Sequence, residues 1–380
     1  MKIVFFKSTL FLFFLLFFSH QMVADEKSKD DHTKKIFKDS LDGAFDVSDF
    51  LATKTGFLAV PGIVTNPAVG YGGYATALFF HSSFAESQGF PTMTGVIGGG
   101  TENSSWMLGA YHLQSFFEDR FRLTSFFGYG DVNLRFFGRG YTDFLKNHEV
   151  MLGMDAWVLF VDGSYRINNT NFFVGGRYVF VNNDSRLSPN VSFLDLDFKS
   201  TVSEIGLVVS YDSRNNFFSP SKGIKGEVNY QYSGTWLGAD NNYSRLYSYL
   251  FGYIPITKKQ SLGIRGEYDV AFSGAPFYME PFVNLRGVAI MRYQDKQMFE
   301  AEAEYQFSLY KRWSGVTFVG VGDAWGTGSS FFEDDVAVSG GFGFRYLLAR
   351  KFGMKTGIDF AWSKDTFAFS IVIGSAWLRN

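Results

Sequence analysis

The sequence predicts an all-β protein, a transmembrane antiparallel β-barrel of about sixteen strands. Apolar and polar residues alternate in runs of about ten residues or more, and short turns rich in Gly, Asn, Asp and Ser separate the runs. The chain holds 46 Phe and 20 Tyr among 380 residues, yet its mean hydropathy is close to zero. Runs of this length cross a bilayer at a tilt, and aromatic residues near their ends suit the membrane interfaces.

The alternation is clearest in the second half of the chain. Ile205, Leu207 and Val209 face one way, and polar residues such as Glu204 and Ser210 face the other. A β-sandwich alternates as well, but its strands average about five or six residues. The longer runs favour the barrel, and about 310 residues divided into hairpins suggest about sixteen strands, within two.

A barrel in hydrocarbon has to close, because every backbone amide there needs an internal partner. The first and last strands must therefore meet. We expect the first strand near residues 69–80 and the last near residues 366–377. In the last strand, Trp377 shares a face with the apolar residues Phe367 and Ile371.

The N-terminal part of the chain differs from the rest. Residues 1–24 predict a secretory signal peptide, because two lysines precede the apolar run Leu10–Phe18, which is too short to span a bilayer comfortably. An uncleaved anchor is the alternative. Residues 25–65 are expected to form a periplasmic segment with a short amphipathic helix within residues 36–51. The barrel is expected over residues 66–380, in the bacterial outer membrane.

Three carboxylates, Glu300, Glu302 and Glu304, stand two residues apart between Phe299 and Phe307. In a strand the three acids share one face and the apolar residues share the other. In a barrel the acids face the lumen and the aromatic residues face lipid. Closely spaced carboxylates also suit acid–base chemistry or a cation site, so this second interpretation stays open at this point.

Composition and motif spacing argue against several other classes of protein. The chain has no Cys, which excludes disulfides and thiol catalysis, and its five His are scattered without ligand spacing. The run Gly98–Gly100 lacks the Lys-Ser/Thr of a phosphate loop. We predict no enzyme activity, no metal and no cofactor, with a Ser–His hydrolase using His148 as the alternative. The net charge of −2 gives no reason to expect a nucleic-acid partner.

Two short motifs carry a resemblance to a known family. The first lies in a turn between two predicted strands and comprises Asp212, Arg214, Pro220 and Gly223. The second is Leu285-Arg286-Gly287. With these motifs the chain resembles the BamA/TamA-type bacterial surface antigen superfamily of outer-membrane barrels, over about residues 66–377, and is most similar to the branch lacking N-terminal POTRA modules.

The resemblance implies that a loop over about residues 273–296 folds into the lumen and that its Arg286 meets Glu304. A bidentate carboxylate is the best partner for a guanidinium in a narrow lumen. Many members of the family carry a second acid where this chain has Gly320, so the other two glutamates of the same strand are alternative partners. The resemblance also implies that the Asp212 turn faces the periplasm.

The function implied by the resemblance is assistance with the insertion or translocation of proteins or lipids at the outer membrane, through a weak seam between the first and last strands. Gly70, Gly72 and Gly73 in the expected first strand offer few side chains to hold that seam. Expected partners are outer-membrane lipid and either client proteins or an outer-membrane complex. The alternatives are a small-solute channel or transporter, and an accessory subunit bound through the helix at residues 36–51.

Overall fold

A computed structural model gives the structure of the chain. It describes the following residues: 37–53, 56–81, 92–136, 150–187, 198–272, 274–327, 330–333, 336–364 and 366–377. The predicted signal peptide and His148 lie outside the described residues.

Sixteen antiparallel strands form one sheet, and their order in the sheet is their order in the chain. The strands are β1 (Gly56–Val64), β2 (Gly72–Phe80), β3 (Met93–Thr101), β4 (Trp106–Phe116), β5 (Phe121–Phe136), β6 (Val150–Arg166), β7 (Phe172–Leu187), β8 (Phe198–Asp212), β9 (Gly223–Ser233), β10 (Tyr243–Thr257), β11 (Gln260–Ala271), β12 (Gln297–Tyr310), β13 (Trp313–Trp325), β14 (Ala337–Ala349), β15 (Met354–Ser363) and β16 (Phe367–Ile373). The sheet curls into a nearly closed barrel, which confirms the predicted fold class and strand number.

Helical structure is sparse in the described part of the chain. Helix α1 (Ser48–Thr53) precedes β1, and single 3₁₀ turns occupy Thr235–Leu237, Phe277–Met279 and Arg350–Phe352. No helix among the described residues is long and apolar enough to cross a membrane.

The two faces of the barrel wall differ as the alternation predicts. Ala303 of β12 pairs with Ile264 on one side and Val319 on the other, and both of these side chains are exposed on the outer surface. Their neighbours Glu300 and Glu302 point inwards and are fully buried. The barrel thus has an apolar outside and a charged lumen, the pattern of a transmembrane barrel.

The seam between β1 and β16 is the weak junction of the barrel. Fifteen strand pairs carry backbone ladders, but no ladder joins β1 to β16 among the described residues. Instead, the Thr65 hydroxyl donates a hydrogen bond to the carbonyl of Phe369, and the ring of Tyr71 stacks with that of Phe369 at a centroid distance of 6.4 Å. Side chains hold this seam where backbone pairing holds the others.

The structure corrects the expected position of the first strand. Residues 69–80 contain the second strand, and β1 starts at Gly56, ten residues before the expected barrel boundary at Asn66. Pro61 in β1 removes a ladder donor and is typical of an edge strand, which is what β1 is. The glycines expected to weaken the seam lie in β2 or in the turn before it, so they do not belong to the seam strand.

The predicted short N-terminal helix is confirmed, but it lies at Ser48–Thr53, at the end of the expected range, and the described residues 37–47 are not helical. Before the helix, a short antiparallel bridge joins Lys38 to Phe45. Three aspartates accept hydrogen bonds from backbone amides two residues further on, which favours turns over helix. Gly43, at φ +67°, completes the turn.

The end of the chain departs from the barrel wall, contrary to the expectation for Trp377. Gly374 adopts φ +82° directly after β16 and turns the chain inwards. Trp377 is therefore buried in the lumen, where it packs against Phe251 and Tyr253, and does not share the lipid face of Phe367.

The two ends of the barrel are distinguished by the chain termini. The terminal end is the one where β1 begins and β16 ends, and the loop end is the opposite one. Residues 37–53, which we call the N-terminal strap, pack under the terminal end. There the Arg312 guanidinium contacts Asp39, Asp42 and Asp46.

We predict that acid releases the N-terminal strap only at very low pH. The hydrogen bond from Arg312 lowers the pKa of Asp42 from 3.8 to about 2, and hydrogen bonds also hold the pKa of Asp39 and Asp46 below the usual value. Carboxylates with a lowered pKa stabilise the docked strap above their ordinary pKa, and that stabilisation is lost as the pH falls through the lowered one.

Pepsin cleavage within the strap tests this, because pepsin is active across that range. We expect slow cleavage at pH 4 and fast cleavage at pH 2. Cleavage beside the exposed Trp236 at the loop end reports the pH dependence of the protease itself. If the rate of cleavage within the strap and the rate beside Trp236 changed with pH in the same way, the prediction would be contradicted.

Candidate functional site

The long loop between β11 and β12 folds into the barrel. We call residues 274–296 the lumen loop. Val283, Leu285 and Val288 are buried and pack against Tyr293 of the same loop and against the wall near Ala324. Gly287 follows Arg286 at φ +83°, and a Cβ there would lie 2.9 Å from the Cβ of Ala361. A glycine is therefore required where the loop touches β15.

Arg286 carries the main polar contacts of the lumen loop. Its Nη2 lies 2.7 Å from Glu302, and its Nη1 lies 2.7 Å from Glu304 and 2.8 Å from Asp359. The Phe318 ring centroid lies 3.5 Å from the guanidinium carbon, so an aromatic face covers the ion pairs. One cation therefore joins the loop to two strands, β12 and β15.

A second arginine and the C-terminal tryptophan complete this group. Arg345 Nη1 lies 2.5 Å from Asp359 and is almost fully buried. The indole nitrogen of Trp377 donates a hydrogen bond of 2.6 Å to Glu302. We call these six residues the arginine cluster: Arg286, Glu302, Glu304, Arg345, Asp359 and Trp377. Two guanidinium groups thus face three carboxylates, which leaves the cluster acidic if all five groups are ionised.

The structure brings Arg286 and Glu304 together, and it adds Glu302 as an equally close partner. Glu300 lies elsewhere: it is 3.0 Å from Arg265 and accepts a 2.6 Å hydrogen bond from the amide of Asn284. It therefore holds the loop backbone, and its partners are Arg265 and the Asn284 amide. All three glutamates contact the lumen loop or its arginine.

Gly320 has a steric reason for its place beside the loop. A Cβ at this position would lie 2.8 Å from Leu285 Cδ2 and 3.4 Å from Glu302 Cγ. An acid on this part of β13 would displace the loop, and Asp359 supplies the additional carboxylate from β15 instead. Sequence reasoning missed Asp359, Arg345 and Trp377, although Asp359 falls on the polar face of its strand.

The lumen loop also crosses to the opposite wall. Phe277 and Met291 pack against Leu134, Phe136 and Leu152 of β5 and β6. The loop thus spans the loop end of the lumen, with the arginine cluster on one side and an apolar cluster on the other.

Both sides of the seam touch the lumen loop. The carbonyl of Gly287 accepts hydrogen bonds from the hydroxyls of Ser363 and Thr366, at the turn between β15 and β16. The amide of Ile290 lies 3.5 Å from the side-chain oxygen of Asn66, which follows β1. The loop therefore connects the strands on either side of the weak junction.

The Asp212 turn lies at the terminal end, between β8 and β9. Arg214 binds Asp212 through two hydrogen bonds of 2.9 Å, and Gly223 adopts φ +108° with the carbonyl of Ser213 only 2.3 Å from a notional Cβ. Pro220 lines a cavity of about 20 Å³, room for about one water. Glu304 lines the same cavity, so this turn and the arginine cluster share one space.

Two histidines approach each other on the outer wall near the terminal end. His81 and His112 both hydrogen-bond to the hydroxyl of Thr94, at 2.7 and 2.9 Å. Across the described ranges of the chain, no group of three or more His, Asp or Glu side chains has the geometry to hold a metal ion.

Residues 161–377, more than half of the chain, match the model of the Omp85 superfamily domain. The chain belongs to the Omp85 superfamily. This confirms the resemblance, and the protein is an outer-membrane β-barrel. No protein with a curated description matches the chain.

Solved structures of the superfamily share the fold at low sequence identity. BamA from Haemophilus ducreyi lacking POTRA domains 1–3 is 14% identical, with a TM-score of 0.55 over 84% of this chain and 70% of that one. CdiB from Acinetobacter baumannii is 11% identical, with a TM-score of 0.58, and CdiB from Escherichia coli is 11% identical, with a TM-score of 0.56. Each CdiB match covers 83% of this chain, which spans 59% and 62% of the two CdiB chains.

We predict that Arg286→Met destabilises the barrel by about 3–5 kcal/mol, because it leaves the buried carboxylate of Glu302 without its cation. The measurement is the temperature at which the folded form disappears in heat-modifiability gels of the purified protein. The matched control is Arg186→Met, which breaks the exposed pair with Asp131 and should cost about 1 kcal/mol or less. Equal losses in the two variants would contradict a central role for the arginine cluster.

Proposed function

We propose that this protein assists the insertion or translocation of proteins or lipids at the outer membrane by opening between β1 and β16. The observation that carries the proposal is the seam, the one junction of the described sheet without a backbone ladder. In this assignment the terminal end faces the periplasm and the loop end faces outwards. The role comes from the Omp85 superfamily, and the seam supports it.

The facing edges of β1 and β16 lack the backbone ladder that joins the other neighbouring strands of the described sheet. Each amide left unpaired in hydrocarbon costs several kcal/mol, so the facing edges of β1 and β16 have a strong tendency to pair with another strand. A client strand satisfies these groups through main-chain hydrogen bonds, whatever its side chains are. An edge of this kind suits many different client sequences.

The lumen loop and the chain end favour this role over a small-solute channel. The loop reaches from the arginine cluster to β5 and β6, and Trp377 occupies the lumen below it. Solute passage would have to displace these buried groups. Opening at the wall leaves most of them in place, because the arginine cluster lies on the β12–β16 side of the seam.

A disulfide across the seam tests the proposal, and the absence of Cys from the chain makes the test clean. The Thr65→Cys, Phe369→Cys variant joins residues that already touch. We expect oxidation to reduce the insertion of an unfolded eight-stranded barrel into liposomes at least tenfold, and a reductant to restore it.

The matched control is Ala59→Cys with Ala77→Cys, which joins β1 to β2 at directly opposite residues of an intact ladder. This disulfide should leave insertion unchanged. Unimpaired insertion with the oxidised seam variant would refute the proposed gate.

A further inference from the structure

The N-terminal strap is bound to the barrel by a buried ionic contact at the terminal end. Arg312, in the turn between β12 and β13, lies 2.6 Å from Asp46 and 2.7 Å from Asp42, and it also contacts Asp39. The side chains of Arg312, Asp39 and Asp46 are almost completely inaccessible to solvent. Burial of this kind stabilises the docked strap, because removing one charged partner while the strap stays docked would leave the other charge buried and uncompensated.

The next turn of the barrel, between β14 and β15, binds the strap as well. Arg350 donates hydrogen bonds of 2.5 and 2.8 Å to Asp39, so this carboxylate joins two turns. The amide of Val47 donates to the carbonyl of Leu348 at 2.9 Å. The strap is thus fixed by its backbone as well as by its charges.

Apolar packing places the end of the strap directly under β14 and β15. Leu51 of α1 is buried against Ala349 and Met354, which end one strand and begin the next. Phe50 and Phe352 pack around this contact. Leu51 is therefore a fixed point on the β15 side of the seam.

The strap bridges the seam, because β1 begins at Gly56, five residues after Leu51. Five residues span at most about 17 Å. The path from β15 past β16 to β1 already takes up two strand spacings, about 10 Å. About 7 Å of slack remains. Adding a two-stranded hairpin to the seam moves β1 about 10 Å further from β15. The chain between the docked Leu51 and Gly56 is too short to span that added distance.

We propose that the N-terminal strap is an autoinhibitory clasp that has to leave the Arg312 surface before the seam admits a hairpin. This inference rests on the proposed function and adds a control point to it. The lumen loop contacts both sides of the seam at the loop end, and the strap holds both sides at the terminal end. The clasp sets the width of opening at the end where an unfolded client enters from the periplasm.

The chemistry of the contact also defines what releases the clasp. Arg312 and Arg350 bind carboxylates that stand three or four residues apart on a strap with aromatic side chains. A partner that opens the clasp has to present a similarly acidic segment to these arginines. The expected partner therefore resembles the strap in the spacing of its carboxylates.

The test uses full-length protein in liposomes and the same unfolded eight-stranded barrel as client. A Val47→Cys, Leu348→Cys disulfide locks the strap, because residues joined by a backbone hydrogen bond have Cα atoms about 5–6 Å apart, within disulfide reach. Ser48→Cys with Lys351→Cys is a second lock. We expect at least tenfold slower insertion when either lock is oxidised, with recovery on reduction.

The opposite variant, Asp39→Asn with Asp42→Asn and Asp46→Asn, should undock the strap and raise the insertion rate at least twofold. Its matched control is Asp49→Asn, whose partner Lys351 is exposed. If the triple variant does not fold, the two locks decide the question alone.

The locks and the seam disulfide together separate the two claims. Wild-type insertion rates with a locked strap, while the seam disulfide blocks insertion, would overturn the clasp and leave the proposed function standing. Wild-type rates with both disulfides would overturn the proposed function and the clasp with it.

Discussion

The guanidinium of Arg286 is the constraint on which the interior of this barrel depends. Glu302 and Asp359 are both fully buried, and a buried carboxylate is tolerated only with a cation at hydrogen-bond distance. Arg345 of the barrel wall also pairs with Asp359, but the cation beside Glu302 is Arg286. The cation arrives on the lumen loop, so the loop has to enter the barrel for the wall to be stable. Trp377 then donates to Glu302, which brings the end of the chain to the same point.

The seam is a consequence of how the two ends of the barrel are held. At the loop end, the lumen loop contacts residues on both sides of the junction; at the terminal end, the N-terminal strap packs against β14 and β15 and leads into β1. Between them, β1 and β16 share side-chain contacts and no ladder in the described structure. The barrel can keep a weak junction because contacts outside the wall hold the neighbouring strands in place.

Period-two alternation was enough to predict the barrel, its strand number and the lumen position of the three glutamates, because that pattern records which face meets lipid. The pairing of Arg286 with Glu304 followed from the resemblance. Asp359 could not be predicted as a partner, because its distance from Arg286 depends on three intervening strand registers. The sequence did not predict β1, because Pro61 and Gly62 interrupt its alternation. It did not predict the lumen position of Trp377, because a single left-handed residue, Gly374, redirects the chain.

The central claim is that the arginine cluster keeps the lumen loop inside the barrel, and conductance in planar bilayers tests it most directly. We predict a low, steady conductance for the wild type and a severalfold higher conductance for Arg286→Ala, with Arg186→Ala unchanged. A large conductance in the wild type, or none gained in Arg286→Ala when folded protein is inserted in equal amount, would contradict it.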